Sequence, residues 1–314
     1  MRSFAILVLA GMAALTANPA FAASISIAAG GIAGTYYPIG VAIAAAITKT
    51  TDMQATAETG NAAVANTDLV ADGKVEAAFS QADVTAWAYN GQLMFRGKPL
   101  KNIRAIAALY PETLQLVISK QSGIKTVADL KGKSVGVGAP GSGTEGDART
   151  IFDTVGLKYE DVKVDFIDFS AISNRFRDDQ IDAGFVVAGV PTLALMNLTA
   201  AKDVMILNFD EDTMGTLVKA NPFFIPHIIP AGTYRGIDTD VATPAVMALL
   251  ITSDSVPEEV IYNLTKGIFE NIDEVRKSHA MAENIKLETA TTGLTAPLHP
   301  GAAKYYREKG IKVD

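Results

Sequence analysis

From residue 23 onward, short apolar runs alternate with helix-like segments, and Gly, Pro and Asp punctuate them. Residues 25–29 read as a buried strand and 39–48, rich in Ala and Ile, as a helix. Further strands are predicted at 54–59, 75–80, 103–109 and 114–119, with helices at 62–71 and 84–89. Tyr110-Pro111-Glu112, between two of these strands, is a candidate crossing between domains. The pattern then repeats, with a short helix at 127–130 and strands at 134–138, 164–169, 183–188 and 204–208. A helix is predicted at 145–155, and another, charged and exposed, contains 174–179. Residues 223–229 are a candidate return crossing, and 245–252 read as a strand back in the first domain. Helices at 257–271, with Pro257 in its first turn, and at 300–308 close the chain. Such alternation predicts an α/β fold with mostly parallel sheets flanked by helices.

Two stretches share one grammar. Gly30-Gly31-Ile32-Ala33-Gly34-Thr35-Tyr36-Tyr37-Pro38 joins the first strand to the first helix. Pro38 suits a first helical turn, where its missing N–H has no intrahelical partner anyway. Ala139-Pro140-Gly141-Ser142-Gly143-Thr144 joins the strand at 134–138 to the helix at 145–155, and Ser142 or Thr144 can either cap that helix or turn its hydroxyl to a ligand. Glycines let backbone amides approach a ligand, and a helix N-terminus is partially positive, so both loops suit a small anion such as a carboxylate. A tight turn without a ligand accounts for either loop alone equally well. Ligands of α/β sheets bind at the carboxyl ends of strands. Both loops fall there, as do Ser80-Gln81-Ala82-Asp83 and Gly189-Val190-Pro191. That convergence predicts two domains facing each other across a cleft.

Composition narrows the function. The 314 residues suffice for two domains, and a net charge of −7 argues against nucleic acid or an anionic membrane as the main partner. The chain has no cysteine, which removes disulfides, thiol catalysis, Cys-based zinc sites and a lipidated cysteine. Arg2, an apolar run at 4–15 and Ala20-Phe21-Ala22 read as a secretory signal peptide, residues 1–22, cleaved after Ala22. Its apolar core is too short to span a bilayer. The expectation is an exported, soluble, unanchored protein of the periplasm.

Enzyme readings are weaker. Gly136, Gly138 and Gly141 match G-x-G-x-x-G in strand-to-helix context, with Asp168 as a candidate ribose acid. Dinucleotides are scarce outside the cytoplasm, however, and Ser142-Gly143-Thr144 suits a compact anion better. His227, His279 and His299 have no metal-site spacing, and no G-x-S-x-G elbow is present. His299 is expected to cap the last helix, His227 to sit in or beside a strand, and Asp178 and Asp179 to lie on a solvated helix face. No catalytic residue, metal or cofactor is expected.

Taken together, the motifs resemble those of the TAXI family of solute-binding proteins, which serve TRAP-type (tripartite ATP-independent periplasmic) transporters. The resemblance runs through essentially the whole mature chain. It rests on the loop from Gly30 to Pro38 continuing into Ile39-Gly40, on Ala65-Asn66, Ser80-Gln81-Ala82-Asp83-Val84, Gly138 to Thr144, Gly189-Val190-Pro191 and Leu298-His299-Pro300-Gly301-Ala302. It implies a two-lobed type II periplasmic-binding-protein fold, with lobe 1 formed by 23–111 plus 221–314 and lobe 2 by 112–220. It also implies a monomer that closes over a small organic acid or acidic amino acid, such as glutamate, glutamine or 2-oxoglutarate, and delivers it to TRAP membrane subunits. The ligand residues it implies are Gly34, Thr35, Tyr36, Asn66 and Gln81 in one lobe, with Ser142, Gly143, Thr144 and Gly189 across the cleft. The family usually has a Gly-Ser pair shortly before Asn66; here Gly60-Asn61-Ala62-Ala63 lacks the hydroxyl, and Asn61 is the candidate replacement. No arginine falls in a matching motif, and Arg149 is more consistent with a helix surface than with a carboxylate clamp. Hinges are expected near 110–112 and between 208 and 223.

Overall fold

The structure is a computed structural model that describes residues 24–60 and 62–313. The signal-peptide reading and the role considered for Asn61 therefore lie outside the described residues. The first half runs β1 (Ser24–Ala28), α1 (Tyr36–Thr50), β2 (Gln54–Glu58), α2 (Ala63–Ala71), β3 (Ala77–Gln81), α3 (Ala82–Asn90) and β4 (Ile103–Ser119). The middle runs β5 (Ser134–Gly136), α4 (Gly143–Thr154), β6 (Lys163–Asp165), α5 (Phe169–Arg177), β7 (Ala183–Ala188), α6 (Leu193–Ala201), β8 (Val204–Ile206), α7 (Glu211–Ala220) and β9 (Ile225–Ile229). The chain ends with β10 (Val241–Ser253), α8 (Glu258–Glu270), α9 (Ile272–Arg276) and α10 (Pro300–Glu308).

One mixed sheet carries all ten strands, in the order β2-β1-β3-β10-β4-β7-β5-β6, with β8 paired to β4 and β9 to β10. The flanking pairs β1–β2, β1–β3, β5–β6 and β5–β7 are parallel. β4 and β10 join them antiparallel to every strand they touch. Strand–helix alternation predicts parallel pairing, which the flanks show; β4 and β10 depart from it, because apolar periodicity does not encode strand direction.

The two long strands are the main departure from the sequence reading. Residues 103–109 and 114–119 are one 17-residue strand, and Tyr110-Pro111-Glu112 lies inside it rather than in a connection. A mid-strand proline is tolerated here because the ladder between β4 and β10 shifts register between Met247 and Leu249. β10 begins at Val241, earlier than expected, and pairs with β9, the segment expected to be the return crossing. The strand expected at 164–169 stops at Asp165, because Asp168 caps α5 by accepting the Ala171 N–H at 2.8 Å. α5 is also less exposed than its charges suggest, since Ile172 and Phe176 are buried.

The core is divided in two along β4 and β10. Ile106, Leu109, Ala248 and Leu250 pack with α1, α8 and α10, while Ile103, Ala108, Leu249 and Ile251 pack on the other sheet face with α2 and α3. Beyond the middle of each long strand the partners change. Leu114, Leu116, Ile118 and Val246 pack with Ile151, Phe152 and Phe224, whereas Val117 and Val241 pack with Ile172, Leu195 and Ile229. The result is a two-lobed α/β molecule with a sheet continuing through its waist.

Candidate functional site

The first corner follows β1. The Gly34 N–H closes a tight turn on the Gly31 carbonyl at 3.0 Å. Thr35 holds the N-cap position of α1 but makes no side-chain cap; its hydroxyl instead donates to the Gly189 carbonyl at 3.4 Å. Pro38 is the third helical residue and the first turn contains no acid. Among the described residues, the amides of Thr35, Tyr36 and Tyr37 have no acceptor. This is an uncompensated positive helix end.

The second corner follows β5. Gly138 has φ of 97°, a left-handed conformation that favours glycine, and a Cβ there would lie 2.8 Å from both Ser142 Oγ and Thr144 Cβ. Ser142 caps α4, its hydroxyl accepting the Glu145 N–H at 3.2 Å. The Gly143 and Thr144 amides have no acceptor among the described residues. Unlike α1, this helix has an acid in its first turn, Glu145, which pairs with Arg149 at 2.6 Å and accepts from the Tyr159 hydroxyl at 2.8 Å.

Between the corners lies a buried acidic floor. Gln81, at the end of β3, donates through Nε2 to Glu112 Oε2 at 3.0 Å and to Asp147 Oδ2 at 3.2 Å. Asp83 accepts the Val84 N–H at 2.8 Å and faces Asp147. Asp83, Glu112 and Asp147 are no more than 2% exposed. Burial raises the pKa of Glu112 and Asp147 well above the ordinary carboxylate range, and the nearby Asp83 carboxyl raises both further. Burial also raises Asp83, with hydrogen bonds from Asp147 and the Val84 amide opposing it. The Tyr36 hydroxyl faces Glu112 without a well-aligned hydrogen bond. Tyr36 Oη, Gln81 Oε1, Glu112 Oε1 and Asp147 Oδ1 are all buried without a partner among the described residues.

Corners and floor border a cavity of about 400 Å³. The halves of the molecule meet directly around it: the Ala65 N–H donates to the Gly141 carbonyl at 3.0 Å, and the Ala194 N–H to the Ala33 carbonyl at 3.1 Å. The arrangement is a closed one. Gly34, Thr35, Tyr36, Gln81, Ser142, Gly143 and Thr144 line the cavity, together with Glu112, Phe169 and Val187. Gly143 is a contact between halves, since a methyl there would overlap the Gln81 carboxamide.

Asn66 and Gly189 are not among the lining residues. The Asn66 carboxamide donates to the Ala29 carbonyl at 2.7 Å and the Phe79 carbonyl at 2.9 Å, tying the ends of β1 and β3 together. Gly189 is a close-approach position, where a Cβ would come within 2.6 Å of Met281 and 2.9 Å of Thr35. Arg149 is also absent from the lining, and its guanidinium lies over the Tyr159 ring at 4.3 Å. Sequence reasoning missed Glu112 and Asp147. A carboxylate interrupting the apolar run from 103 to 118 was the available signal for Glu112; nothing in the composition of α4 singles out Asp147.

The histidines have local roles. His299 caps α10 by accepting the Gly301 N–H at 3.1 Å, His227 in β9 bonds the Thr113 hydroxyl at 3.1 Å, and His279 Nε2 meets the Pro191 carbonyl at 3.0 Å. No group of three or more His, Cys, Asp or Glu suited to a metal occurs among the described residues. Nor is any described helix long and apolar enough to cross a membrane.

The profile of the NMT1-like family matches residues 27–310. The chain belongs to the NMT1-like family. Proteins of Brucella abortus (strain 2308) and Brucella suis biovar 1 (strain 1330), named as binding proteins, are 43% identical over 65 residues. That match spans 20% of this chain and about a fifth (19%) of the length of those relatives. Among solved structures, this NMT1-like protein is similar to one from Bordetella bronchiseptica RB50, with TM-score 0.61 and 16% identity over 92% of this chain and 98% of the other. The binding-protein component of an ABC phosphonate transporter from Pseudomonas aeruginosa gives TM-score 0.53 at 12% identity, over 84% and 80% of the two chains. The alkanesulfonate-binding protein of Xanthomonas axonopodis pv. citri, bound to MOPS, gives 0.50 at 13% over 91% of each. At these identities the likeness shows the fold, that of the periplasmic binding proteins.

Proposed function

We propose that this NMT1-like protein is a periplasmic solute-binding protein that captures a small organic acid or acidic amino acid and hands it to a membrane transporter. The observation that carries this reading is the cavity between two strand–loop–helix corners whose leading amides have no acceptor among the described residues. A carboxylate at the α1 corner would receive those amides and the helix dipole together. The candidate ligand residues are Gly34, Thr35, Tyr36, Gln81, Ser142, Gly143 and Thr144, with Glu112 added. Asn66 and Gly189 act indirectly, by holding strand ends and by letting the halves approach. Binding energy that bridges the two corners favours closure. The packing favours chain crossings inside β4, near Tyr110–Thr113, and inside β10, near Val246–Ala248, because core partners change there. This moves residues 221–246 into lobe 2 relative to the boundary expected at 220.

Delivery to a TRAP-type transporter rests on the TAXI-like motif set. The neighbours from ABC importers make ATP-driven delivery the second reading. Uptake into vesicles carrying the cognate membrane subunits separates them, since a TRAP route runs on an ion gradient with no ATP. The binding function is tested by thermal shift on protein from Ala23 onward, refolded to strip bound solute, against L-glutamate, L-glutamine, 2-oxoglutarate, C4-dicarboxylates and neutral sugars. A ligand at about 100 times its Kd stabilises by roughly 2.7 kcal/mol, a rise of several degrees. Response to a neutral sugar with silence from every acid would sink the carboxylate reading. Turnover of a bound acid would make the protein an enzyme.

A further inference from the structure

We infer that shutting the cleft takes up a proton: the carboxyls of Asp83 and Asp147, carried by opposite halves of the molecule, share one hydrogen in the closed arrangement and part as two carboxylates when the halves separate. The inference rests on the two-lobed reading of closure and needs no particular solute. Asp83 stands in the first turn of α3, in the first lobe, and Asp147 in α4, in the second. Gln81 crosses the same boundary, its Nε2 donating to Asp147 Oδ2 at 3.2 Å while also holding Glu112 at 3.0 Å. The two aspartates are 0% exposed and within hydrogen-bonding reach of each other. Asp83 Oδ2 and Asp147 Oδ1 have no donor among the described residues. Two ionised carboxylates offer acceptors only, so neither satisfies the other; one hydrogen turns the pair into a donor and an acceptor.

Charge demands the same hydrogen. The groups facing the pair are Gln81 from the end of β3, Glu112 from β4 and the Val84 amide from α3, while Tyr36 from α1 and Tyr110 from β4 stand beside Glu112. None of these is a cation. On α4 itself, Arg149 is engaged with Glu145 and the Tyr159 ring. Two buried like charges without a counter-ion are strongly unfavourable, so burial raises both carboxyls, Asp147 well above the ordinary carboxylate range. Their mutual hydrogen bond raises Asp147 and lowers Asp83, which makes Asp147 the donor and Asp83 the acceptor. Opening takes Asp147 away from Gln81 and Asp83 and returns both aspartates to water, where they ionise near about pH 4. The hydrogen comes from solvent as the O–H bond on Asp147 forms, and goes back to it on opening. Support for closure from this source is complete below the ordinary carboxylate pKa and is lost as pH rises through the raised pKa of the closed form. One proton changes the ratio of closed to open by up to about tenfold per pH unit across that window. Acid holds a solute in the cleft, and a rise in pH loosens it.

The chain has no cysteine, so Lys74→Cys in the first lobe and Lys219→Cys in the second, both exposed, give two unique sites for spin labels. Pulsed dipolar spectroscopy on the refolded, solute-free chain from Ala23 reads the closed and open populations as distances. Titrated upward from about pH 4, the closed population should shrink, by up to about tenfold in the closed-to-open ratio per pH unit. Asp147→Asn donates its carboxamide N–H to Asp83 at every pH and should flatten that titration. Asp83→Asn donates to an ionised Asp147 and should flatten it from the other side, so the test does not depend on either variant alone folding. A wild-type ratio that does not move with pH would overturn the inference, and so would a full wild-type slope in either folded variant. Adding L-glutamate or 2-oxoglutarate at fixed pH keeps the two readings apart. A solute-driven shift with no pH-driven one leaves closure standing and removes the shared proton. No shift with pH, L-glutamate or 2-oxoglutarate removes both.

Discussion

The two loop-to-helix corners look alike in sequence and differ in what they can do. Both run strand, glycines, helix. At α1 the N-cap hydroxyl of Thr35 turns away to Gly189, Pro38 occupies the third position and no acid follows, so the positive end of the helix is left to a ligand. At α4, Ser142 caps its own helix and Glu145 and Asp147 follow within five positions, so the dipole is answered from within. The comparison teaches that a glycine loop before a helix marks a place where a ligand can be held; the residues of the first two turns decide which charge is welcome there. On this reading α1 supplies the anion-binding amides, and α4 supplies a lid, a hydroxyl and part of an acidic wall.

The sharpest test of α4 as lid is Gly143→Ala. A methyl there overlaps the Gln81 carboxamide, so closure fails or Gln81 is pushed off its acids. Solute affinity should fall by 100-fold or more, about 2.7 kcal/mol at least. Unchanged affinity by calorimetry would mean that Gln81 does not sit against Gly143 when solute is bound.

Asp147→Asn tests the acidic wall. In the folded chain the Asp147 pKa lies well above its ordinary 3.8, so the fold holds a proton that the unfolded chain releases. Stability from this source is complete below about pH 4 and is lost as pH rises through the raised pKa. The wild-type melting temperature should therefore decline as pH rises through the raised pKa, with the Asn variant declining less and overtaking it above that pKa. A gain on the order of 1–3 kcal/mol there matches the cost of a poorly satisfied buried group. Parallel melting curves across pH would show that Asp147 is not strained by burial.

Thr144→Ala removes a cavity hydroxyl without touching the cap and should weaken solute binding by about 1–3 kcal/mol with little change in melting temperature. Ser142→Ala does the reverse. It should cost about 1 kcal/mol of stability through the lost cap, a melting drop of roughly 2–4 °C, with a smaller effect on affinity. If both variants lose affinity equally at constant melting temperature, Ser142 serves the ligand rather than the helix. The smallest effect expected is at Ala62, a cavity-lining residue with φ of 71° and ψ of −159°. Only glycine adopts that conformation readily, so Ala62→Gly should raise stability by about 1 kcal/mol, read as a higher midpoint in urea.

The alternation of apolar runs was enough to place β1, β3, β5 and β7 and the helices that follow the first three, because burial on both sheet faces leaves a strong local signature; α6, after β7, was not predicted. Glycine and proline marked both corners for the same reason: conformations that other residues avoid are written in residue type. His299 as a cap was legible because the cap is local. The continuity of β4 through Pro111 was not, since the register shift that accommodates it lies in β10, well over a hundred residues away.

The candidate site divides along the same line. Its backbone half, Gly34 to Tyr36 and Ser142 to Thr144, follows from local sequence, because turn geometry and helix ends need only neighbours. Its side-chain half was decided by tertiary structure. Asn66 looked like a ligand residue and proved to tie strand ends; Glu112 looked like part of a connection and faces the cavity. Gln81, Asp83, Glu112 and Asp147 come from four separate elements. Whether a carboxylate is solvated and charged or buried beside two others depends on what the rest of the chain packs against it, which no short window of sequence contains.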